Sequence, residues 1–197
     1  MQPEPAGEFI IDKLQKYLPK HYTYHSVEHA FDVHNAAKYI GEAEQISAYD
    51  MQLLLTAAYY HYCGFLISAV GHEHESCQIA KEVLPAYGYT TNEIDLICGM
   101  IMATKLPQTP HTLLESILAD ADLDYLGRDD FFTIGNKLFE EFTLSGAAGD
   151  KNEWNKTQLD FMKNHCYFTR ASTKLRRGKK EANIELVKAQ LKNMDAK

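Results

Sequence analysis

Residues 53–65, with the sequence LLLTAAYYHYCGF, are apolar along almost their whole length and end near a histidine and a glycine. A run this uniformly hydrophobic, without alternating polarity, predicts a helix that is buried on all sides. The imidazole of His61 at its end needs a hydrogen-bond partner or an ion, because burial of an unpartnered polar group costs free energy. His61 is therefore either a satisfied core histidine or part of a buried site.

Helical spacing continues on both sides of this central segment. Apolar residues recur every three or four positions, and turn residues such as Gly71, Gly88 and Pro107 separate the periodic stretches. The fifth predicted helix has Thr91 and Asn92 as cap candidates. No stretch alternates in polarity between hairpin turns. We therefore expect an all-α helical bundle with helices over 9–18, 33–40, 53–60, 77–87, 93–103, 112–119, 129–144, 152–169 and 174–192.

The bulk composition limits the size and the partners of the protein. The chain has 197 residues, of which 45% are hydrophobic, and it shows no break in composition. These values predict one domain over residues 1–197 with one substantial core. A formal net charge of -7 argues against binding to a nucleic-acid polymer, which needs Lys and Arg along the phosphates. The expected partners are small molecules.

Neither a membrane span nor an export signal is evident. No apolar run approaches the roughly 20 residues of a membrane helix, and the N-terminal MQPEPAGEF lacks the regions of a signal peptide. We expect a cytoplasmic protein with no membrane association. Its four cysteines are scattered singly, which favours reduced core thiols over a zinc knuckle or a disulfide scaffold.

Histidines also occur in two further clusters. In YHSVEH, residues 24–29, His25 and His29 are four apart, so on a helix both imidazoles face one side, one turn apart. In GHEHES, residues 71–76, His72 stands among acidic residues and a second histidine. On its own the first cluster is weak evidence for a site, and its alternative explanation is a solvated helix start. The second cluster is by default a solvated loop or helix start, although two or three of its side chains could face inward.

Three aspartates alternate within an otherwise apolar stretch, LADADLDYLG. Asp120, Asp122 and Asp124 cannot all be helix caps, and a carboxylate buried there needs a cation or several donors. Imidazole nitrogen and carboxylate oxygen are the ligands of a catalytic divalent ion with open coordination positions. Such an ion lowers the pKa of bound water and polarises a phosphoryl oxygen.

The order and content of these segments resemble the HD superfamily of metal-dependent phosphohydrolases, particularly its small single-domain members. The resemblance implies a fold of the HD-domain type, and it covers YHSVEHAFDV, LLLTAAYYHYCGF, HEHESCQIAKEVLPAYGY, EIDLICGMIMATK, ILADADLDYLGRDDF and WNKTQLDFMKNHCYFTRASTKLRRGKKEAN.

The resemblance also implies a role for each residue. His29, His61 and Asp122 would bind the metal, and His25 and Asp122 would serve catalysis, with His25 near the phosphate or the leaving group. His72 would reach a second ion or the substrate, and Asp120 is a weaker substitute for Asp122. The implied cofactor is a divalent ion: Mn, Mg, Co, Ni, Fe or Zn.

The chain departs from the family pattern at one position. The family carries a His-Asp doublet where this sequence has His61 and Tyr62. A phenol, with a pKa near 10, is a poor replacement for an anionic ligand unless the metal deprotonates it. Tyr62 is either a packing aromatic or a phenol that faces the site, and we expect the metal affinity to be lower.

Two functional hypotheses remain open on the sequence. The first is a metal-dependent phosphohydrolase acting on a small phosphate ester or anhydride, with nucleotides as candidates. The alternative is a weakened or inactive HD-like protein that binds a nucleotide or a protein partner without turnover. A purely structural helical module would require the histidines to be incidental. An apolar helix face could also pair two copies as a homodimer, and the basic residues between 174 and 180 could attract phosphates if their helix packs over the cleft.

Overall fold

Helices make up most of the protein. The computed structural model describes residues 1–195, which contain no β-strand, and this confirms the all-α class. Three short 3₁₀ helices, Cys63–Leu66, Leu84–Tyr87 and Asp124–Gly127, lie between longer helices. The longer ones are α1 (Pro3–Tyr17), α2 (Val27–Ala43), α3 (Ala48–Tyr60), α4 (His72–Val83), α5 (Thr91–Ala103), α6 (Leu113–Asp122), α7 (Phe131–Leu144), α8 (Lys151–Asn164) and α9 (Arg170–Asp195).

The start of α5 differs from the expected cap by one or two residues. Thr90, and not Thr91 or Asn92, is the N-cap, and its side chain accepts a hydrogen bond from the Glu93 amide. The Glu93 side chain accepts one from the Thr90 amide in return. This reciprocal capping box satisfies two amide groups that the helix leaves unpaired.

The expected helix over 152–169 is wrong in its last turn. Helix α8 ends at Asn164, and His165 is already extended, with ψ of 137°. Asp120 accepts hydrogen bonds from the amides of Phe168 and Thr169, just before α9 begins. A side chain more than forty positions earlier in the sequence therefore holds these residues in a non-helical conformation.

The hydrophobic interior has two parts. The larger core is formed by α1 to α6 and contains Leu53, Leu54 and Ala57 of the central helix α3. The smaller core contains Leu126 of the 3₁₀ helix Asp124–Gly127, Phe131 of α7, Met162 of α8 and Val187 of α9. Burial of these side chains is the main driving force for the fold. The two cores meet near the C-terminal end of α6.

Gly64 lies just after α3 and lets the backbone there approach α4. A Cβ atom at Gly64 would lie 2.0 Å from the carbonyl oxygen of His72, so no larger residue fits without a backbone shift. The Gly64 amide donates to Ser76 Oγ, and the Ser76 hydroxyl donates to the carbonyl of His61. The segment that carries His61 is therefore fixed against α4.

None of the helices within residues 1–195 combines the length and the hydrophobicity needed to cross a bilayer. The assignment of one domain to residues 1–197 stays a prediction, and its last two positions lie outside the described residues.

Candidate functional site

Three helix ends bring three candidate metal ligands together. His29 lies in the first turn of α2, His61 caps the C-terminus of α3, and Asp122 is the last residue of α6. The two histidines are buried, whereas 18% of the Asp122 side chain is exposed. Because α2 packs against both α3 and α6, residues separated by up to 93 positions meet at one point.

The donor atoms of these residues are close enough to share one ion. His29 Nε2 lies 3.2 Å from His61 Nε2 and 3.2 Å from Asp122 Oδ1. His61 Nε2 lies 3.4 Å from the same oxygen. All three donor atoms lie within 4.8 Å of one another. Two imidazole nitrogens and one carboxylate oxygen suit a divalent ion that keeps positions open for water or substrate.

Hydrogen bonding and burial favour the protonation states that metal binding needs. The Nδ1–H of His61 donates to the Ala58 carbonyl at 2.7 Å, which leaves the Nε2 lone pair directed at the cluster. Burial lowers the pKa of His29 to about 4, against the opposing effect of Asp122. Burial disfavours ionisation of Asp122, but its contacts with His29 and His61 hold its pKa well below the usual range. Neutral imidazoles and a carboxylate are the ligand forms.

His25 is held beside this cluster by a residue that the sequence analysis missed. Its Nδ1 contacts Glu141 Oε1 at 2.5 Å, and Glu141 Oε2 accepts hydrogen bonds from the amides of Tyr24 and His25. The His25 ring also stacks on Phe65, with ring centroids 4.1 Å apart. Three contacts from one buried carboxylate therefore set the position of the imidazole and of the backbone that carries it.

The sequence contains a pattern that indicates a buried, partnered carboxylate at Glu141. Ile134, Leu138 and Glu141 are spaced by four and three positions, so they share one face of α7, and that face is otherwise apolar. A carboxylate on an apolar helix face needs a partner. The sequence could not show that the partner would be His25, which lies 116 positions away.

Tyr62 is a packing residue whose hydroxyl is engaged by a backbone carbonyl. Its ring is fully buried, and its hydroxyl donates to the carbonyl of Ser26 at 2.7 Å. Burial raises the pKa of the Tyr62 phenol well above its ordinary value. The hydroxyl ties the end of α3 to the residue that precedes α2. Tyr62 therefore supports the site as a neutral phenol.

His72 lies near the cluster but is not one of its three members. Its ring centroid is 6.0 Å from that of His25, and Phe65 lies 4.4 Å away on one side. The Nδ1 atom is 3.2 Å from the Ala69 carbonyl oxygen. The candidate ligand group found among residues 1–195 contains His29, His61 and Asp122.

The two neighbouring aspartates have structural partners. Asp120 accepts hydrogen bonds from two amides before α9 and from the Thr169 hydroxyl, so it helps to begin that helix. Asp124 accepts two hydrogen bonds from the Arg176 guanidinium, at 2.7 and 2.9 Å. Of the three alternating carboxylates, Asp122 is the one that reaches the histidines.

A cavity of about 640 Å³ adjoins the cluster. Its wall includes His25, His61 and Asp122, together with rings and aliphatic side chains from α7 and α8. The basic residues between 174 and 180 are not among its lining residues in the described part of the chain. Arg176 instead bonds Asp124, and Lys179 pairs with Asp129. The cavity has the size of a small-molecule site.

The fold has a counterpart among solved structures, although no protein-family model and no curated protein matches the sequence. It is similar to the crystal structure of a predicted HD superfamily hydrolase from an uncultured Thermotogales bacterium. The TM-score is 0.63, the match covers 95% of this chain and 92% of that chain, and 19% of the residues are identical. This similarity confirms the HD-type helical fold.

Proposed function

We propose that this protein is a metal-dependent phosphohydrolase that acts on a small phosphate ester or anhydride. One observation carries the proposal: a His-His-Asp group with donor atoms within 4.8 Å lies beside a cavity large enough for a small molecule. The shared fold with a predicted HD superfamily hydrolase supports it.

In this proposal each residue has a stated task. His29, His61 and Asp122 hold the divalent ion, which when bound supplies positive charge and lowers the pKa of water. His25 has its Nδ1 engaged by Glu141, so its Nε2 is the nitrogen left to contact the phosphate or protonate the leaving oxygen. His72 lines the same cavity and contacts the substrate or a second ion.

The direct test combines metal analysis with turnover. The purified protein is assayed on an aryl phosphate, on nucleotides and on simple phosphate esters, with Mn, Co, Ni, Mg, Fe or Zn added separately. We expect at least one ion to bind and to stimulate hydrolysis, and the variant His61→Asn to lose both effects. A folded protein that no ion stimulates on any substrate would rule out the proposal.

A second candidate function is binding without turnover. It is favoured by Tyr62, since the phenol stands where the family pattern has a carboxylate and bonds Ser26. This function predicts that ligands raise the melting temperature although no product forms.

The variant Tyr62→Asp separates the two functions. If the parent is inert but stabilised by ligands, and Tyr62→Asp gains metal-dependent hydrolysis, the natural chain has the binding function and Tyr62 is the cause of its inactivity. An active parent would establish the enzyme. The variant Tyr62→Phe keeps the ring in place, and it controls for effects of the lost hydroxyl and for folding.

A further inference from the structure

Part of the cavity wall, called its apolar end below, consists of apolar side chains. Trp154 and Phe161 come from α8, Leu138 and Phe142 from α7, and Leu126 from the segment after α6. The rings of Trp154 and Phe142 meet edge to face, with centroids 5.7 Å apart. A phosphate group needs none of these contacts. The apolar end therefore has the surface to take a different part of a ligand.

The charges on the cavity wall do not suit a chain of phosphates. Among the described residues that line the cavity, Lys105 is the one Lys or Arg, whereas Glu73, Asp122 and Glu141 are acidic residues. Lys105, His25 and a bound divalent ion together match a single phosphoryl group. Three linked phosphates would bring several further negative charges into a cavity whose described lining has Lys105 as its one Lys or Arg.

We infer that the substrate is a monophosphate ester of an apolar alcohol or phenol, whose hydrocarbon part packs against Trp154, Phe142 and Leu138. This inference rests on the proposed phosphohydrolase function and narrows it. In the reaction, a water oxygen bonds to phosphorus and the bond between phosphorus and the ester oxygen breaks. The ester oxygen takes up a proton, the water loses one, and the products are the alcohol and inorganic phosphate.

Trp154 makes the inference measurable by binding alone. It is the single tryptophan of the chain, so its fluorescence reports on the apolar end of the cavity. The probes are methyl-, butyl- and octylphosphonate, which carry a stable phosphorus–carbon bond, together with ATP, all with Mg²⁺ present. Calorimetry on the same samples gives the dissociation constants.

We expect the dissociation constant to fall at least about tenfold from butyl- to octylphosphonate, because burial of each methylene favours binding. Octylphosphonate should change the Trp154 emission, and ATP should bind more weakly than octylphosphonate. Equal affinity for all three phosphonates, or tighter binding of ATP than of octylphosphonate, would overturn the inference.

Two aromatic-to-alanine variants provide a matched comparison. Phe142 is 37% exposed and lines the cavity, so Phe142→Ala should leave the fold intact and weaken octylphosphonate binding by about fivefold. Methylphosphonate binding should not change. Tyr39 on α2 is 53% exposed and is not a lining residue, and Tyr39→Ala should leave both affinities unchanged. An identical response of the two variants would contradict the assigned packing.

The outcome also separates this inference from the proposed function. If phosphonate affinity depends on chain length but octyl phosphate is not hydrolysed, the apolar subsite is supported and the hydrolase function is contradicted. Metal-dependent turnover of many phosphate esters, with no preference for longer chains, would keep the hydrolase and remove the apolar subsite.

Discussion

The side chains around the histidines, which we call the polar end of the cavity, are positioned differently from the side chains of its apolar end. At the polar end, side chains that line the cavity or adjoin it come from separate elements, and several have a second partner that sets their orientation: Ala58 for His61, Glu141 for His25 and Ser26 for Tyr62. At the apolar end, Trp154 contacts Phe142, which also lines the cavity, and Phe139, which does not. The three rings come from α7 and α8, which follow one another in the chain.

This difference shows that the polar end depends on particular pairs of residues more than the apolar end does. Buried polar groups are costly unless they are satisfied, so each one at the polar end requires a particular partner at a particular distance. Apolar contacts are non-directional, and a ring can be exchanged for another hydrophobic group with a smaller change. Changes at the polar end should therefore have the larger and more specific effects.

The largest effect is expected from Asp122→Asn. The amide has no negative charge, so the site loses its one anionic ligand. We therefore expect the affinity for Mn²⁺ and the metal-dependent rate each to fall by more than about 100-fold. Titration calorimetry measures the affinity. The control is Asp95→Asn on the exposed surface of α5. Unchanged ion affinity in Asp122→Asn would exclude this carboxylate as a ligand.

Replacement of the neighbouring Asp120 should lower stability and leave ion binding intact. Asp120→Asn weakens three hydrogen bonds before α9, so we expect the free energy of unfolding to fall by about 2 kcal/mol. Affinity for Mn²⁺ should be retained. Urea denaturation and calorimetry test both points, and a loss of ion binding comparable with that of Asp122→Asn would contradict the assignment of Asp120 as structural.

A smaller effect is expected from Glu141→Gln, because Glu141 acts through His25. We expect kcat to fall by about 10- to 100-fold, and ion affinity to stay within about threefold. Steady-state kinetics and Mn²⁺ titration separate these quantities. An equal loss in rate and in ion affinity would show that Glu141 supports the metal ligands and not His25 alone.

The smallest effect at the polar end is expected from Tyr62→Phe. The change removes the hydroxyl that bonds Ser26, so the free energy of unfolding should fall by about 1 kcal/mol. Ion affinity should not change, because the hydroxyl donates to the Ser26 carbonyl and is not one of the three candidate ligands. A strong loss of Mn²⁺ binding in this variant would instead identify the phenol as a ligand.

The residues of the polar end show how far prediction from sequence reached. The sequence predicts His25, His29, His61 and Asp122 as site residues. The structure brings the four together, and His25, His61 and Asp122 line the cavity. The sequence does not predict Glu141 as a site residue, because its partner His25 lies in a distant segment of the chain. The overrun of the helix predicted at 152–169 has the same origin, since Asp120 determines where that helix region ends.

The sequence by itself determined the helical class, the approximate position of most helices and the chemical types available for a site. These follow from local periodicity and from the ligand properties of individual side chains. Only the tertiary structure decided that Glu141 contacts His25, that Tyr62 bonds a backbone carbonyl, and that apolar side chains form part of the cavity wall. The reason is that distances between residues far apart in the chain depend on how the helices pack, which no local pattern records.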